Sequence, residues 1–309
     1  MAAGVIHWDE VKERRVEQGF LSGAWRNLGA ASGTVGVGLR RVAIDAGKRS
    51  TPAHVHGAEE EIFYVLAGSG WSWEDGDVHE IGPDDCLVHL PGKQAHTLLA
   101  GDDGLDVLAF GTRVAVEAGW LPRAHVAWLG QTWVAAGEGA HPWARELAAG
   151  ELARPDPSPR PPHIVNVRDV EETAKHRGDC VRIERDLGVA AGSRATGLRY
   201  VTVPPETVNC PPHCHSADEE VFVALEGGGM LLLGGGEHEM RCGSVVARPP
   251  GSRVAHAFRA GPDGLTYLAY GTRQPDDASY YPRTGKVYLR GLGVVVDAQH
   301  FELRDEDVW

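Results

Sequence analysis

The chain has 309 residues, with 30 Lys and Arg against 43 Asp and Glu, a formal net charge of −13. At roughly 100–200 residues per domain, that length predicts two domains. The acidic balance, with no basic cluster, argues against nucleic acid or an anionic membrane surface as a partner.

The first residues, MAAGVIHWDEVKERR, lack a charged stretch followed by an apolar one, so no secretory leader is expected. Apolar runs such as residues 230–233 are too short to cross a bilayer. Forty glycines and nineteen prolines predict many turns between short strands. Five cysteines without a CxxC pair fit reduced thiols and a cytoplasmic protein. Cys210 and Cys214, which flank His213, are read as packing residues.

An internal repeat organises the chain. An offset of 159 links Leu28-Gly29 to Leu187-Gly188, Gly33 to Gly192, residues 38–40 to 197–199, and Gly92 to Gly251. Residues 54–73 and 213–232 share nine identities in twenty positions. GLDVLAFGTR (104–113) and GLTYLAYGTR (264–273) match at seven of ten. Such self-similarity marks a duplicated domain. The expected division is an N-terminal domain over 1–136, a Pro-rich linker over 137–163 and a C-terminal domain with an extension over 164–309. The linker holds six prolines, five of them in RPDPSPRPP, and reads as a stiff, extended spacer. TrpLeuProArg (120–123) echoes TyrTyrProArg (280–283), and both segments are expected to pack as flanking strands.

In chain order, each copy begins with a strand carrying Arg40 or Arg199. These arginines alternate with Val42 and Val201; the first reading is a partly buried arginine paired with a structural carboxylate, and the second, if that face is the lumen, an anchor for an anionic substrate. Next comes an HxH pair, His54 and His56 or His213 and His215. Residues i and i+2 of a strand project to one face, so each pair sets two imidazoles side by side. Glu61, Phe63 and Val65 then alternate with Ile62, Tyr64 and Leu66. Glycines 68 and 70, and 227–229, are expected to break that strand. A hairpin follows, turning at residues 74–77. Trp71 and Trp73 read as core, with a substrate-lining wall as the alternative, and His79 and His238 as exposed. His89 aligns with Arg248, so the two copies are expected to differ in task. His96 or His256 completes each set, and Arg113 and Arg273 close each repeat as structural residues.

Three imidazoles and one carboxylate suit Fe(II), Mn, Ni, Co or Zn. Four protein ligands leave two positions open on an octahedral ion, and none on a tetrahedral zinc. The expected ligands are therefore His54, His56, Glu61 and His96, and His213, His215, Glu220 and His256, around one divalent ion per barrel, with Fe or Mn favoured.

The segments HVHGAEEEIFYVLAG and HCHSADEEVFVALEG resemble the first motif of the cupin superfamily, with four residues between the HxH and Glu and with Gly seven beyond that Glu. GPDDCLVHLPGKQAH and CGSVVARPPGSRVAH resemble the second motif more loosely. There the histidine falls four or five residues after Gly rather than three, and the closing Asn is missing. The resemblance covers roughly 28–113 and 187–273. It implies an all-β fold of two tandem cupin barrels, a double-stranded β-helix or jelly roll, in a bicupin. It further implies a metal-dependent oxidoreductase, similar to quercetin dioxygenases and oxalate decarboxylases, acting on a small oxygenated organic substrate. Redox-neutral isomerisation or hydrolysis of a sugar or keto acid is the alternative, and a non-catalytic small-molecule binder ranks third. Association through barrel edges, and so a homodimer, is the expected assembly.

Overall fold

The computed structural model describes residues 4–130, 132–135 and 141–298. The start of the expected linker (137–140) and the end of the C-terminal extension (299–309) lie outside them.

The described residues form two barrels, each built from an eight-stranded and a four-stranded sheet. In the N-terminal barrel the central strands are Glu61–Glu74 and His96–Thr112, flanked by Asp85–His89 on one side and Val37–Ile44 on the other. In the C-terminal barrel the same places are taken by Glu220–Leu233, His256–Thr272, Ser244–Arg248 and Thr196–Val203. The chain is all-β apart from short helices, and none of those described is long and apolar enough to cross a membrane.

The strand alternation read from the sequence sorts side chains between two environments. Phe63 and Val65 turn into the N-terminal barrel with Val42, Leu98 and Val107. Ile62 and Tyr64 turn outward and meet Val221, Val223, Leu268 and Tyr270 of the other barrel in one shared core. Phe110 and Tyr270, equivalent positions of the repeat, stack across this junction at 5.0 Å. A period of two therefore builds a lumen on one face and an inter-barrel core on the other.

Two reciprocal devices join the barrels. The strand Ile6–His7 pairs with Ser244 and Val245 of the C-terminal barrel, and Ile164–Asn166 pairs with Asp85–Leu87 of the N-terminal one. The division at residue 164 is thus crossed by an exchanged strand on each side. Glu60 accepts hydrogen bonds from the backbone N–H groups of Arg194, Ala195 and Thr196 and from the hydroxyls of Ser193 and Thr196. Glu219 accepts from Val35 and Gly36 N–H in return.

The structure departs from expectation in three places. Glycines 68, 70 and 227–229 do not break their strands; they sit at register shifts inside continuous ones, as β-bulges do. A side chain at Gly68 would collide with the Gly104 carbonyl at 2.2 Å, and Gly68 holds φ +79°. The 137–163 segment is no free spacer, because Pro142–Ala148 forms a helix capped by His141. Proline is tolerated at a first helical position, and Ala, Arg, Glu and Leu follow it. Its Glu146 is buried against Arg49 at 3.1 Å, and farther along Arg160 pairs with the buried Asp85 at 2.7 Å. His79, expected exposed, is buried, 3.3 Å from the Ser158 carbonyl of this same strap.

Candidate metal centres and their cavities

The second histidine of each HxH pair lies on a two-residue strand, Val55–His56 or Cys214–His215, at the edge of each four-stranded sheet, and the first, His54 or His213, directly precedes it. The backbones of His54 and His96 exchange hydrogen bonds of 3.1 and 3.0 Å, and His213 and His256 do the same at 3.2 and 2.9 Å. That pairing sets the third imidazole beside the first. Glu61 and Glu220 open the long central strands on the facing sheet.

In the N-terminal barrel, Glu61 Oε2 lies 3.7 Å from His54 Nε2, 3.7 Å from His56 Nε2 and 3.1 Å from His96 Nε2. Donor atoms of His54, His56 and Glu61 fall within 4.8 Å of one another. In the C-terminal barrel, His213, Glu220 and His256 form the matching group, and His215 Nε2 joins at 3.4 Å from Glu220 Oε2. All eight predicted residues are therefore brought together, four in each barrel. Glu60, the neighbour of Glu61, faces the other barrel instead.

The outer ring nitrogens explain the orientation. Nδ1 of His54, His96 and His213 lies 2.9, 3.2 and 3.0 Å from the carbonyls of Pro52, Gln94 and Pro211. A carbonyl only accepts, so the proton sits on Nδ1 and the Nε2 lone pair points inward. His215 Nδ1 donates to Asp277 at 2.7 Å, and Glu117 stands at the same place, 3.4 Å from His56 Nδ1. Glu117 also accepts from the N–H groups of Gly57, Ala58 and Glu59, and Asp277 from Ala217 and Asp218. These carboxylates hold the ligand loop and aim one imidazole. Their shared offset of 160 was the available signal, outside the quoted motifs.

Burial, assisted by the neighbouring His256 and His215 imidazoles, pushes His213 down to about 4, and burial also lowers His54. Burial would raise Glu61 and Glu220, but the surrounding imidazoles outweigh it and keep both well below the usual carboxylate range. Burial would lower His56 and His215 as well, but Glu61 with Glu117, and Asp277 with Glu220, outweigh it and raise both imidazoles, so a cation entering either centre would displace protons there. His215 Nε2 and Glu220 Oε2 are buried without hydrogen-bond partners among the described residues, an arrangement that a shared cation would satisfy.

Each centre opens onto a cavity, and the two differ. The first, about 480 Å³, is lined by Trp25, Trp128, Trp133 and Trp143 together with Arg40. Trp128 lies 5.6 Å from the His56 ring, made possible by Gly119 opposite it; a Cβ there would sit 1.8 Å from the indole. The second, about 550 Å³, has Tyr281 stacked 5.5 Å from His213, with Tyr267 and Tyr288 nearby. Segments 120–123 and 280–283 thus begin in the flanking strands Ala118–Leu121 and Ala278–Tyr281 and run on into turns, with Leu121 and Tyr281 helping to wall these cavities.

Arg40 and Arg199 both line their cavities, but Arg199 is held by Asp186 at 3.2 Å. The position equivalent to Asp186 is Asn27, and Arg40 has no hydrogen bond or ion pair among the described residues. The Arg40 side chain is exposed to the open cavity, and its recess from bulk water, with Arg113 nearby, lowers the guanidinium from its ordinary value. Arg113 and Arg273 pair with Glu59 and Asp186 at the cavity rims.

Of the remaining candidates, Trp73 is core and Trp71 packs beside it. Cys210 and Cys214 are buried, and burial raises the Cys210 thiol to about 12. His89 stacks on His96 with ring centroids 3.8 Å apart, whereas Arg248 bonds to Ser252 and to the Val254 carbonyl.

A cupin domain profile matches residues 40–110 and 199–267, one in each barrel. The dimethylsulfoniopropionate lyase DddW of Ruegeria pomeroyi is 32% identical over 127 residues, covering 40% of this chain and 80% of that protein. The chain belongs to the cupin superfamily. As a bicupin it is similar in fold to a variant of the Bacillus subtilis oxalate decarboxylase OxdC, with a TM-score of 0.60 and 14% identity, covering 92% of this chain and 80% of that one. A Lactobacillus farciminis oxalate decarboxylase in a formate complex gives 0.60 at 13% identity, with coverages of 88% and 87%. The duplicated cupin and its paired His/Glu groups together support divalent-metal binding.

Proposed function

We propose that this bicupin is a metal-dependent enzyme acting on a small oxygenated organic acid in its N-terminal barrel, with dioxygenase-like oxidation as the first reading. His54, His56, Glu61 and His96 would hold one ion, and His213, His215, Glu220 and His256 a second, with Fe or Mn favoured over Ni, Co or Zn. The bound ion would supply Lewis-acid polarisation of a substrate oxygen and an open position beside it.

The observation that carries the reading is the uncommitted Arg40. It lines the same cavity as His54, His56 and Glu61, and among the described residues no carboxylate pairs with it by direct contact. A planar guanidinium there grips a carboxylate bidentately, which orients the rest of the substrate toward the imidazole cluster. The tryptophans exclude water from the apolar part. Glu117, through its hold on the 57–59 loop, keeps His56 aimed inward.

A redox-neutral cleavage is the second reading, favoured by the likeness to a protein named as a lyase. Calorimetric titration of metal-loaded protein with short organic acids tests the site. Arg40→Met should weaken binding about 10–100-fold, the worth of a charged hydrogen-bonded contact. Unchanged binding would refute the assignment of the N-terminal cavity. An oxygen electrode separates the two chemistries: turnover without oxygen uptake selects the redox-neutral one.

A further inference from the structure

Behind the N-terminal centre lies a second cluster with the same chemical vocabulary. Donor atoms of Glu74, His89 and His163 fall within 4.8 Å of one another. Glu74 and His89 are 4% and 6% exposed, and His163 Nε2 is 2.8 Å from Glu74 Oε2. Ser72 donates to the other carboxylate oxygen at 2.8 Å, which leaves Oε2 to face the histidines. His89 Nε2 is buried without a hydrogen-bond partner among the described residues. A buried imidazole nitrogen without a partner, beside a carboxylate and another imidazole, is an unfinished coordination shell.

The repeat sharpens this. At the offset of 159, Glu74 becomes Leu233, His89 becomes Arg248 and His163 becomes Gly4. Three positions far apart in the chain lose their donors together in the other copy, and in this copy all three meet. Equivalence of Val165 with Ile6 in the exchanged strands, each opposite Cys86 or Val245, fixes the alignment of His163.

We propose that Glu74, His89 and His163 form a third metal site, separate from the two barrel centres, which takes a borderline divalent ion of the zinc class. Two imidazoles and one carboxylate, with solvent as a fourth ligand, match that ion's preferences. Donors on a tetrahedral zinc sit about 3.3 Å apart, so the Glu74–His163 contact need open only slightly. His163 directly precedes the exchanged strand Ile164–Asn166, and its carbonyl accepts from Val88 N–H. Glu74 and His89 belong to the barrel body. The ion therefore clamps the crossing strand onto the N-terminal barrel.

The test counts zinc by elemental mass spectrometry after dialysis of the full chain against zinc. The starting protein is the variant with His54→Ala, His56→Ala, His213→Ala and His215→Ala, which removes two ligands from each barrel centre. It should keep about one zinc per chain and lose it when Glu74→Gln or His163→Gln is added. Chelation should lower its melting temperature, and Glu74→Gln should abolish that shift. Should the fourfold variant fail to fold, Glu74→Gln or His163→Gln in the otherwise unaltered chain should lower the zinc count by about one. A folded fourfold variant without zinc, or a count unmoved by both Glu74→Gln and His163→Gln, would overturn the proposal.

Discussion

The two barrels share their ligands and differ in almost everything that surrounds them. Both present three imidazoles and a glutamate, backed by a loop-pinning carboxylate at Glu117 or Asp277. The N-terminal cavity is walled by four tryptophans and keeps an uncommitted Arg40. The C-terminal cavity is walled by tyrosines, and its cations are engaged: Lys175 and Arg182 by Glu184, Arg199 and Arg273 by Asp186, and Arg290 by Asp218. A cation already paired inside the protein has little left to offer a substrate, since a ligand must first displace its partner. Duplication has kept the three imidazoles and the glutamate in both places and left a cavity arginine without an ion-pair partner among the described residues in one.

The largest effect should come from removing the ligands. His54→Ala with His56→Ala is expected to weaken metal binding in the first barrel by at least about 10³-fold, and to abolish turnover, without unfolding the chain. His213→Ala with His215→Ala should empty the second barrel and leave turnover of the organic acid largely intact. Elemental analysis and a steady-state assay check both. Equal loss of turnover from either pair would break the functional asymmetry proposed for the barrels.

Next in size is the reciprocal lock between barrels. Burial would raise Glu60, but the Ser193 and Thr196 hydroxyls and the 194–196 backbone outweigh it and lower its pKa. For Glu219 burial prevails over the Val35 and Gly36 N–H groups, and its pKa is raised. A depressed carboxyl stabilises the fold above its unfolded pKa of about 4.3, and that contribution fades as pH falls through the lower folded value. The raised carboxyl does the reverse, helping at acid pH and losing that benefit as pH rises through its folded value. Glu60→Gln should therefore cost about 3 kcal/mol at neutral pH, and less on acidification. Glu219→Gln should cost under about 1 kcal/mol or stabilise. Thermal melts at pH 7 and 4 give the answer, and equal losses at pH 7 would contradict it.

These contrasts also show what the sequence could carry. The repeat, the HxH pairs and the strand alternation are local, so they are legible: residues i and i+2 must share a face, and Glu61 shares one with Phe63. The alternation did not say that the opposite face, Ile62 and Tyr64, would be a junction between barrels, because a buried face looks alike whatever covers it. Strand exchange depends on where residues 6–7 and 164–166 travel, which no spacing encodes. Trp25, Trp128, Trp133 and Trp143 come from separate elements and converge only on folding. The helix at 142–148 was hidden by prolines whose role depends on position, as a first-turn residue at 142 and as an extended strap farther on.

The Asn27/Asp186 difference permits a smaller test. Asn27→Asp should hand Arg40 the partner that Arg199 already has, and weaken organic-acid binding about tenfold. Asp186 also caps its helix by accepting from Val189 N–H, as Asn27 does from Ala30 N–H, so the exchange preserves the cap. If Asn27→Asp leaves affinity unchanged, Arg40 is not the anion receptor.

The smallest expected effect concerns the cavity wall. Gly119 lets the Trp128 indole lie against its neighbouring strand beside His54 and His56. The equivalent Ser279 instead bonds to Asp277 at 3.3 Å, with Tyr288 as its cross-strand partner. Gly119→Ser leaves no room for the indole, which must swing toward the cavity opening. Metal content should stay the same, because no ligand moves. Affinity for an acid with an apolar tail should fall by about three- to tenfold, in line with a partial loss of buried aromatic contact, while a tailless acid binds as before. Calorimetry with such a pair of acids reads the difference, and equal losses for both would assign the tryptophan wall to structure rather than to selectivity.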